Sequence, residues 1–155
     1  MGDHRIVVGV DGTDGGRRAL GWALHEAAAR GSAVQAVTAW RWDTAEPTES
    51  VENARQAAQR TLKDEIAAEI AAVPATAQVP VAAEVVEGRA ADVLCRVARD
   101  ADMLVLGSHG HDRVYHTVLG STAQECVEAA ECPVVVIPSA WRSRTRSAAP
   151  ALVRR

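Results

Sequence analysis

The sequence predicts an α/β protein with a single doubly wound parallel sheet of five strands and helices on both faces. Short apolar runs alternate with segments whose apolar residues recur every three or four positions, the pattern of strands joined by right-handed helical crossovers. The chain has 48% hydrophobic residues but only four Trp, one Tyr and no Phe. Such a composition suits a β-branched parallel sheet under alanine-rich helices. At 155 residues the chain is long enough for one core and short for two.

The first half of the chain contains two predicted strands and two predicted helices. Arg5 to Val10 is the first strand, which ends in a turn rich in Gly and Asp. The next helix stops at Gly31 and has an apolar face formed by Ala19, Leu20, Ala23, Leu24, Ala27 and Ala28. Ala33 to Trp40 is the second strand. A longer helix closed by Pro74 has inward residues spaced by three and four, namely Val51, Ala54, Ala58, Leu62, Ile66 and Ile70.

The second half repeats this alternation with shorter elements. Val79 to Val86, Met103 to Leu106 and Val134 to Ile137 are the third, fourth and fifth strands. A short helix lies between the third and fourth strands, with inward residues Ala90, Val93, Leu94, Val97 and Ala101. The last helix, Ser121 to Ala130, is expected to pack through Ala123, Cys126, Val127 and Ala130.

A glycine-rich stretch directly after the fourth strand has the composition of an anion site. Gly107 and Gly110 allow main chain to come close to a ligand, and Gly120 precedes the last helix. The N–H groups at the start of that helix would point at the anion. The stretch therefore predicts a phosphate site that needs no side-chain cation.

Three segments together resemble the universal stress protein family, in its ATP-binding subclass. They are Val7 to Thr13, the spacing G-x2-G-x9-G-S from Gly107 to Ser121, and Cys132 to Val136. The resemblance covers roughly residues 4 to 138. It implies the strand order 3-2-1-4-5, which brings Asp11 and Gly107 to one cleft at the carboxyl edge of the sheet.

The resemblance also implies a set of nucleotide-binding residues. Asp11 is expected beside the adenine and ribose, although a turn or helix-cap role explains it as well. The full set is Gly9, Val10, Asp11, Val37, Gly107, Ser108, His109, Gly110, Arg113, Gly120, Ser121 and Thr122. A plain core strand would equally account for Gly9, Val10 and Val37, and a helix N-cap for the Ser121–Thr122 pair. His109 and Arg113 either reach phosphates or are solvated loop residues.

The same loop does not predict a protein metal site or a catalytic centre. His109, His111, His116 and Cys126 do not complete a zinc pattern. A Mg or Mn ion carried on the nucleotide phosphates fits better. No P-loop, dinucleotide fingerprint or nucleophile elbow is present in the sequence. Tyr115 and His116 are bulkier than the family pattern, which leaves ATP, AMP and a cyclic nucleotide open.

Charge divides the chain into an acidic body and a basic end. The net charge is −3, but residues 141–155 hold five Arg and no acid, so residues 1–140 carry −8. We expect a nucleotide-binding domain over 1–140 and a basic, disordered tail over 141–155. An acidic body argues against nucleic-acid binding. The sequence also gives no sign of a membrane span or signal peptide, and its three cysteines, without a C-x-x-C, suit reduced thiols in a cytoplasm.

The expected function is adenine-nucleotide binding by a cytoplasmic regulatory protein with little or no hydrolysis. A slow ATPase on the same fold is one alternative, and a module that docks a protein partner through its basic tail is another. The apolar fifth strand would lie at a sheet edge, where a homodimer would cover it.

Overall fold

The computed structural model describes residues 4–41, 50–109 and 119–142, whose strands form one parallel sheet in the order β3-β2-β1-β4-β5. The predicted fold class and strand order are confirmed. The elements are β1 Arg5–Gly9, α1 Asp14–Arg30, β2 Ala33–Trp40, α2 Val51–Ala72, a 3-10 turn Pro74–Thr76, β3 Val81–Glu87, α3 Ala90–Val97, β4 Met103–Gly107, α4 Ser121–Ala129 and β5 Val134–Ile137.

Two apolar layers cover the sheet, one on each face. Ile6 and Val8 of β1 point into the layer under α1 and α2, together with Leu20 and Leu62. Val7, between them, points into the opposite layer under α3 and α4. Successive residues of a strand face opposite sides. This explains why β1 and β4, buried on both faces, read as uninterrupted apolar runs.

Local signals fixed the limits of α1. The Thr13 hydroxyl caps its start by accepting a hydrogen bond from the Gly16 N–H at 3.2 Å. At the other end Gly31 has φ +68°, the left-handed conformation that glycine adopts without steric cost. The predicted stop at Gly31 is therefore confirmed.

Several boundaries and inward positions differ from the sequence prediction. Val79 is held in the turn after α2 by its N–H bond to Thr76 O, so β3 begins only at Val81. Helix α3 ends at Val97, four residues before Ala101. Val127 is 51% exposed because α4 packs through a narrow stripe of Ala123 and Cys126. Four other expectations fail in smaller ways: Ala28 and Val51 are exposed, and β1 and α4 each end one residue early.

Trp141, the first residue of the predicted tail, packs against the α1 side of the core. Its ring meets the His25 ring edge to face, with centroids 6.4 Å apart. The Trp141 N–H also donates to Pro138 O at 3.1 Å. The packed part of the chain thus reaches Trp141, and residues 143–155 lie outside the described part.

Truncation at two nearby points should separate Trp141 from the basic residues that follow it. Removing residues 143–155 should leave the melting temperature within about 2 °C of the full chain. Removing residues 140–155 also deletes the half-buried indole, which should cost about 1–3 kcal/mol, less than a fully buried Trp. For a domain of this size we expect a fall of about 3–10 °C. Equal melting temperatures for the two truncated chains in a calorimetric scan would contradict this packing.

Glu65 on α2 carries a buried carboxylate oxygen, Oε2, without a hydrogen-bond partner among the described residues. Burial raises the pKa of Glu65; the Arg17 charge opposes this shift, and Asp11 and Glu69 add to it. The folded chain therefore keeps this proton to higher pH than the unfolded chain does. The contribution of Glu65 to stability is then lost as pH rises above the ordinary carboxyl range.

Replacing this carboxyl by an amide should remove the part of the pH dependence of stability that comes from Glu65. Glu65→Gln should be more stable than the parent at neutral pH, and the difference should vanish in acid, where Glu65 is protonated in both states. Urea unfolding of both chains at several pH values measures this difference. A parent chain that gains stability relative to Glu65→Gln as pH rises would show that the sign is wrong.

Candidate functional site

A cleft of about 290 Å³ opens at the carboxyl ends of β1 and β4. These neighbouring strands lead to helices on opposite faces, α1 and α4, so the backbone diverges between them. Ten of the predicted site residues line this cleft: Gly9, Val10, Asp11, Val37, Gly107, Ser108, His109, Gly120, Ser121 and Thr122. Gly110 and Arg113 lie outside the described residues. Segments distant in sequence thus converge where a doubly wound sheet places its ligands.

A close crossing of two backbone segments lies beside the cleft, which Gly107 and His109 line. A Cβ on Gly107 would lie 2.7 Å from the carbonyl carbon and oxygen of Gly15. A Cβ on Gly15 would in turn collide with the carbonyl oxygen of His109. Because backbone cannot move aside as a side-chain tip does, this crossing requires glycine at both positions.

Asp11 closes the turn between β1 and α1 and also lines the cleft. Its Oδ1 accepts a hydrogen bond from the Thr13 N–H at 3.0 Å and another from the Thr13 hydroxyl. Gly16 leaves room for this arrangement, since a Cβ there would lie 2.7 Å from the same Oδ1. The turn role considered from the sequence is therefore present, and the carboxyl group stands at the edge of the cavity.

Ser108 ties together three elements at the rim. Its N–H donates to Ile137 O of β5 at 3.0 Å, and its carbonyl accepts from the Gly120 N–H at 2.6 Å. Its hydroxyl lies 3.2 Å from Nδ1 of His109, which also lines the cleft. Ser108 thereby positions the start of α4 relative to β4.

Helix α4 presents its N-terminus to the cleft. Gly120 is the N-cap, and no side chain among the described residues caps the helix. Ser121 and Thr122 are thus the first two helical residues, so the alternative that this pair serves only as the helix N-cap does not hold. The amides of the first turn are left for an anion, which the helix dipole would also attract.

The remaining walls are apolar, and sequence reasoning missed part of them. Val37 and Ala39 of β2 line the cleft, together with Ala90 and Leu94 of α3 and Leu106 of β4, which were not predicted. The spacing of the inward residues of α3 could be read from the sequence. That spacing did not show which edge of the sheet the helix reaches. Val37 is 1% exposed, so it belongs to the core as well as to the wall.

An ion-pair network centred on Arg89 links α3 to α4. Arg89 bonds Asp92 at 3.1 Å in its own helix turn and Glu125 across to α4. The hydrogen bond to Asp92 is the largest cause that raises the pKa of Arg89, and the hydrogen bond to Glu125 is the second largest. The side chains are about half exposed, so the network contributes little to stability and serves mainly to orient the helices.

The cleft therefore combines an apolar slot with a row of backbone donors. No Lys or Arg is among the described residues that line it, so the part of the cleft that the structure describes offers an anion main-chain N–H groups and hydroxyls. The described part of the chain also contains no cluster of three or more His, Cys, Asp or Glu arranged to hold a metal ion. An elongated ligand with a flat ring at one end and an anion at the other matches this lining.

The fold is that of a doubly wound α/β protein with a cleft at its switch point. The sequence profile of the universal stress protein family matches residues 4–138, and the chain belongs to that family.

Among its curated relatives, Universal stress protein Rv2624c of Mycobacterium tuberculosis is 33% identical over 134 residues, which cover 86% of this chain and 48% of the relative. The chain spans about half the length of the curated relatives it matches first.

Solved structures share the fold along nearly their whole length. A universal stress protein in complex with cAMP has a TM-score of 0.68 at 22% identity, covering 89% of this chain and 98% of the other. The universal stress protein from Archaeoglobus fulgidus in complex with dAMP has a TM-score of 0.62 at 23% identity, covering 86% and 97%. In the described part of this chain, no helix has the length and apolar character needed to cross a membrane.

Proposed function

We propose that the cleft binds an adenine nucleotide, with ATP as the physiological ligand, and that binding regulates the protein. The observation that carries this proposal is the convergence of the ten described candidate residues on one cavity. Two relatives of the same fold were solved with an adenine nucleotide, one with cAMP and one with dAMP. Their sequence identity to this chain is low, so they support only the class of ligand. The number of phosphates is argued from the chemistry of the site.

In this proposal the two ends of the ligand meet different walls. The adenine ring lies between the apolar side chains of β2 and α3, near Val37 and Leu94. The phosphates face the amides of Ser121, Thr122 and Ala123, which no side chain among the described residues caps. These N–H groups and the helix dipole favour two or three negative charges over one. A Mg²⁺ or Mn²⁺ ion would be held mainly by the phosphates, with water completing its shell.

The same geometry favours binding over hydrolysis. Phosphoryl transfer to water needs a base or a water-positioning group near the attacked phosphorus. Asp11 already accepts two hydrogen bonds from Thr13, which ties its carboxylate to the turn. We therefore propose that hydrolysis is slow or absent.

Calorimetric titration with ATP, AMP, cAMP and adenosine tests both the binding of an adenine nucleotide and the position of its phosphates at the start of α4. Each charge-assisted hydrogen bond to the helix amides contributes about 1.5–3 kcal/mol, so ATP should bind at least about tenfold more tightly than adenosine. Equal affinity for ATP and adenosine would show that the helix N-terminus is not the phosphate site. No binding of any of the four would remove the function itself.

We further propose a homodimer through β5. This strand is an edge of the sheet, and Val134, Val135 and Val136 are only partly buried. An unpaired apolar edge is covered most simply by the same edge of a second copy. Sedimentation at micromolar concentration should show twice the chain mass of 16.4 kDa. A species of 16.4 kDa alone would exclude the dimer.

A further inference from the structure

All three cysteines of the sequence gather in the apolar layer beneath α3 and α4. Cys126 of α4 is fully buried, and the half-buried Cys95 of α3 and Cys132, just before β5, pack against the same cluster. They come from three different elements, and all are free thiols. The sequence alone suggested three unrelated reduced cysteines, whereas the topology brings them together.

Cys95 is the centre of this group. Burial is the largest cause of the raised pKa of both Cys126 and Cys132, and Cys95 is the next cause for each, which places its thiol near both of them. A metal site is not the explanation, because the described residues include no group of three or more ligands arranged for an ion. Two adjacent thiols, one of them half exposed, have the arrangement of an attacked and a resolving cysteine.

We propose that Cys95 and Cys126 form an oxidation site, at which a peroxide converts the two thiols into an intramolecular disulfide between α3 and α4. This site is separate from the nucleotide cleft and does not depend on the function proposed for it.

The chemistry balances in two steps. The Cys95 thiolate attacks one peroxide oxygen, the O–O bond breaks, and Cys95 becomes a sulfenic acid as hydroxide leaves. The Cys126 sulfur then displaces the sulfenic oxygen, so that an S–S bond forms and an S–O bond breaks. The oxygen leaves as water, taking up the proton of the Cys126 thiol. Overall the two thiols lose two electrons and two protons, and one peroxide is reduced to two waters.

The surroundings of Cys126 make the second step slow and dependent on pH. Burial raises the pKa of Cys126 to about 12, and Cys95, Glu125 and Cys132 add to this effect from α3, from α4 and from the segment before β5. Little thiolate is present at neutral pH, so the disulfide should form only under sustained oxidation. The rate of the second step should rise about tenfold per pH unit, in proportion to the thiolate.

The disulfide would join the two helices that form one side of the cleft. Leu94, which precedes Cys95, lines the cavity, and so does Ala123, which lies one helical turn before Cys126. Cross-linking these helices would fix the separation that the exposed Arg89 network now sets. Oxidation and occupation of the cleft would thereby be coupled through α3 and α4.

Disulfide mapping on the full chain tests the proposal without any nucleotide. The purified protein is treated with hydrogen peroxide, its remaining thiols are blocked with N-ethylmaleimide, and it is digested with trypsin and a glutamate-specific protease. Cleavage after Arg89 and Arg96 isolates Cys95, and cleavage after Glu128 or Glu131 separates Cys126 from Cys132. Mass spectrometry should find one peptide pair joining Cys95 to Cys126, which a reducing agent releases.

Single substitutions assign the roles of the three thiols. Cys95→Ser should abolish the cross-link, and Cys132→Ser, the matched control in the same cluster, should retain it. Cys126→Ser should leave Cys95 as a sulfenic acid that dimedone traps. If Cys126→Ser fails to fold, the disulfide map of the parent chain and that of the Cys132→Ser control still test the proposal. A cross-link only between Cys95 and Cys132, only between chains, or none at all would overturn the proposal.

Discussion

Gly120→Glu should abolish ATP binding in a chain that still folds. Gly120 is the N-cap of α4 and lines the cleft, so a side chain there would project beside the amides proposed to hold phosphate. Repulsion between two like charges at about 4 Å amounts to roughly 4 kcal/mol at an effective dielectric constant of 20. That free energy corresponds to about a thousandfold loss of affinity.

Gly120→Gln is the matched control, since it has nearly the same size and no charge. Gly120 is buried, so both variants need circular dichroism and a thermal melt to show that they fold. Its φ of −68° is open to any residue, and no backbone strain is expected. The glutamine should lose clearly less affinity than the glutamate. Near-normal ATP affinity in folded Gly120→Glu would mean that the helix start does not hold phosphate.

Gly107→Ala should lower both stability and nucleotide affinity. The added Cβ would press on the backbone of Gly15 at 2.7 Å, forcing the start of α1 away from the end of β4. Overpacking of this kind costs about 1–3 kcal/mol, and for a chain of this size we expect the melting temperature to fall by about 3–10 °C. Because Gly107 lines the cleft, ATP affinity should fall as well.

Gly31→Ala separates these two effects. Gly31 has φ +68°, and a Cβ there would meet no described atom within 4 Å. Its cost is therefore conformational, about 1–2 kcal/mol, and it lies at the far end of α1. This variant should lose comparable stability and keep its ATP affinity. If Gly107→Ala binds ATP as tightly as Gly31→Ala does, the crossing does not shape the site.

Signals that act over a few residues were readable from the sequence, and contacts between distant segments were not. The stop at Gly31 and the limits of β2 and β5 follow from local residue type and periodicity. Nothing local shows that Gly15 must meet Gly107. The same holds for Trp141, whose partner His25 lies more than a hundred positions earlier.

The candidate site divides in the same way. The glycine spacing and the family resemblance indicated the residues on β1, β4 and α4. The part of the wall formed by Ala90 and Leu94 depends on where α3 crosses the sheet, which periodicity leaves undetermined. The grouping of Cys95 and Cys126 in one apolar layer likewise arises from the packing of α3 on α4.

The most direct measurement of the central claim is an NMR titration of the uniformly ¹⁵N-labelled chain with ATP. The claim is that the cleft at the ends of β1 and β4 holds an adenine nucleotide with its phosphates at α4. The amide signals of Gly107, Ser121, Thr122 and Ala123 should shift most, saturating with ATP concentration. Adenosine should move the signals of Val37, Ala39 and Leu94 and leave those of α4 nearly unchanged. Shifts confined to another surface, or no saturable shift with ATP, would contradict the account.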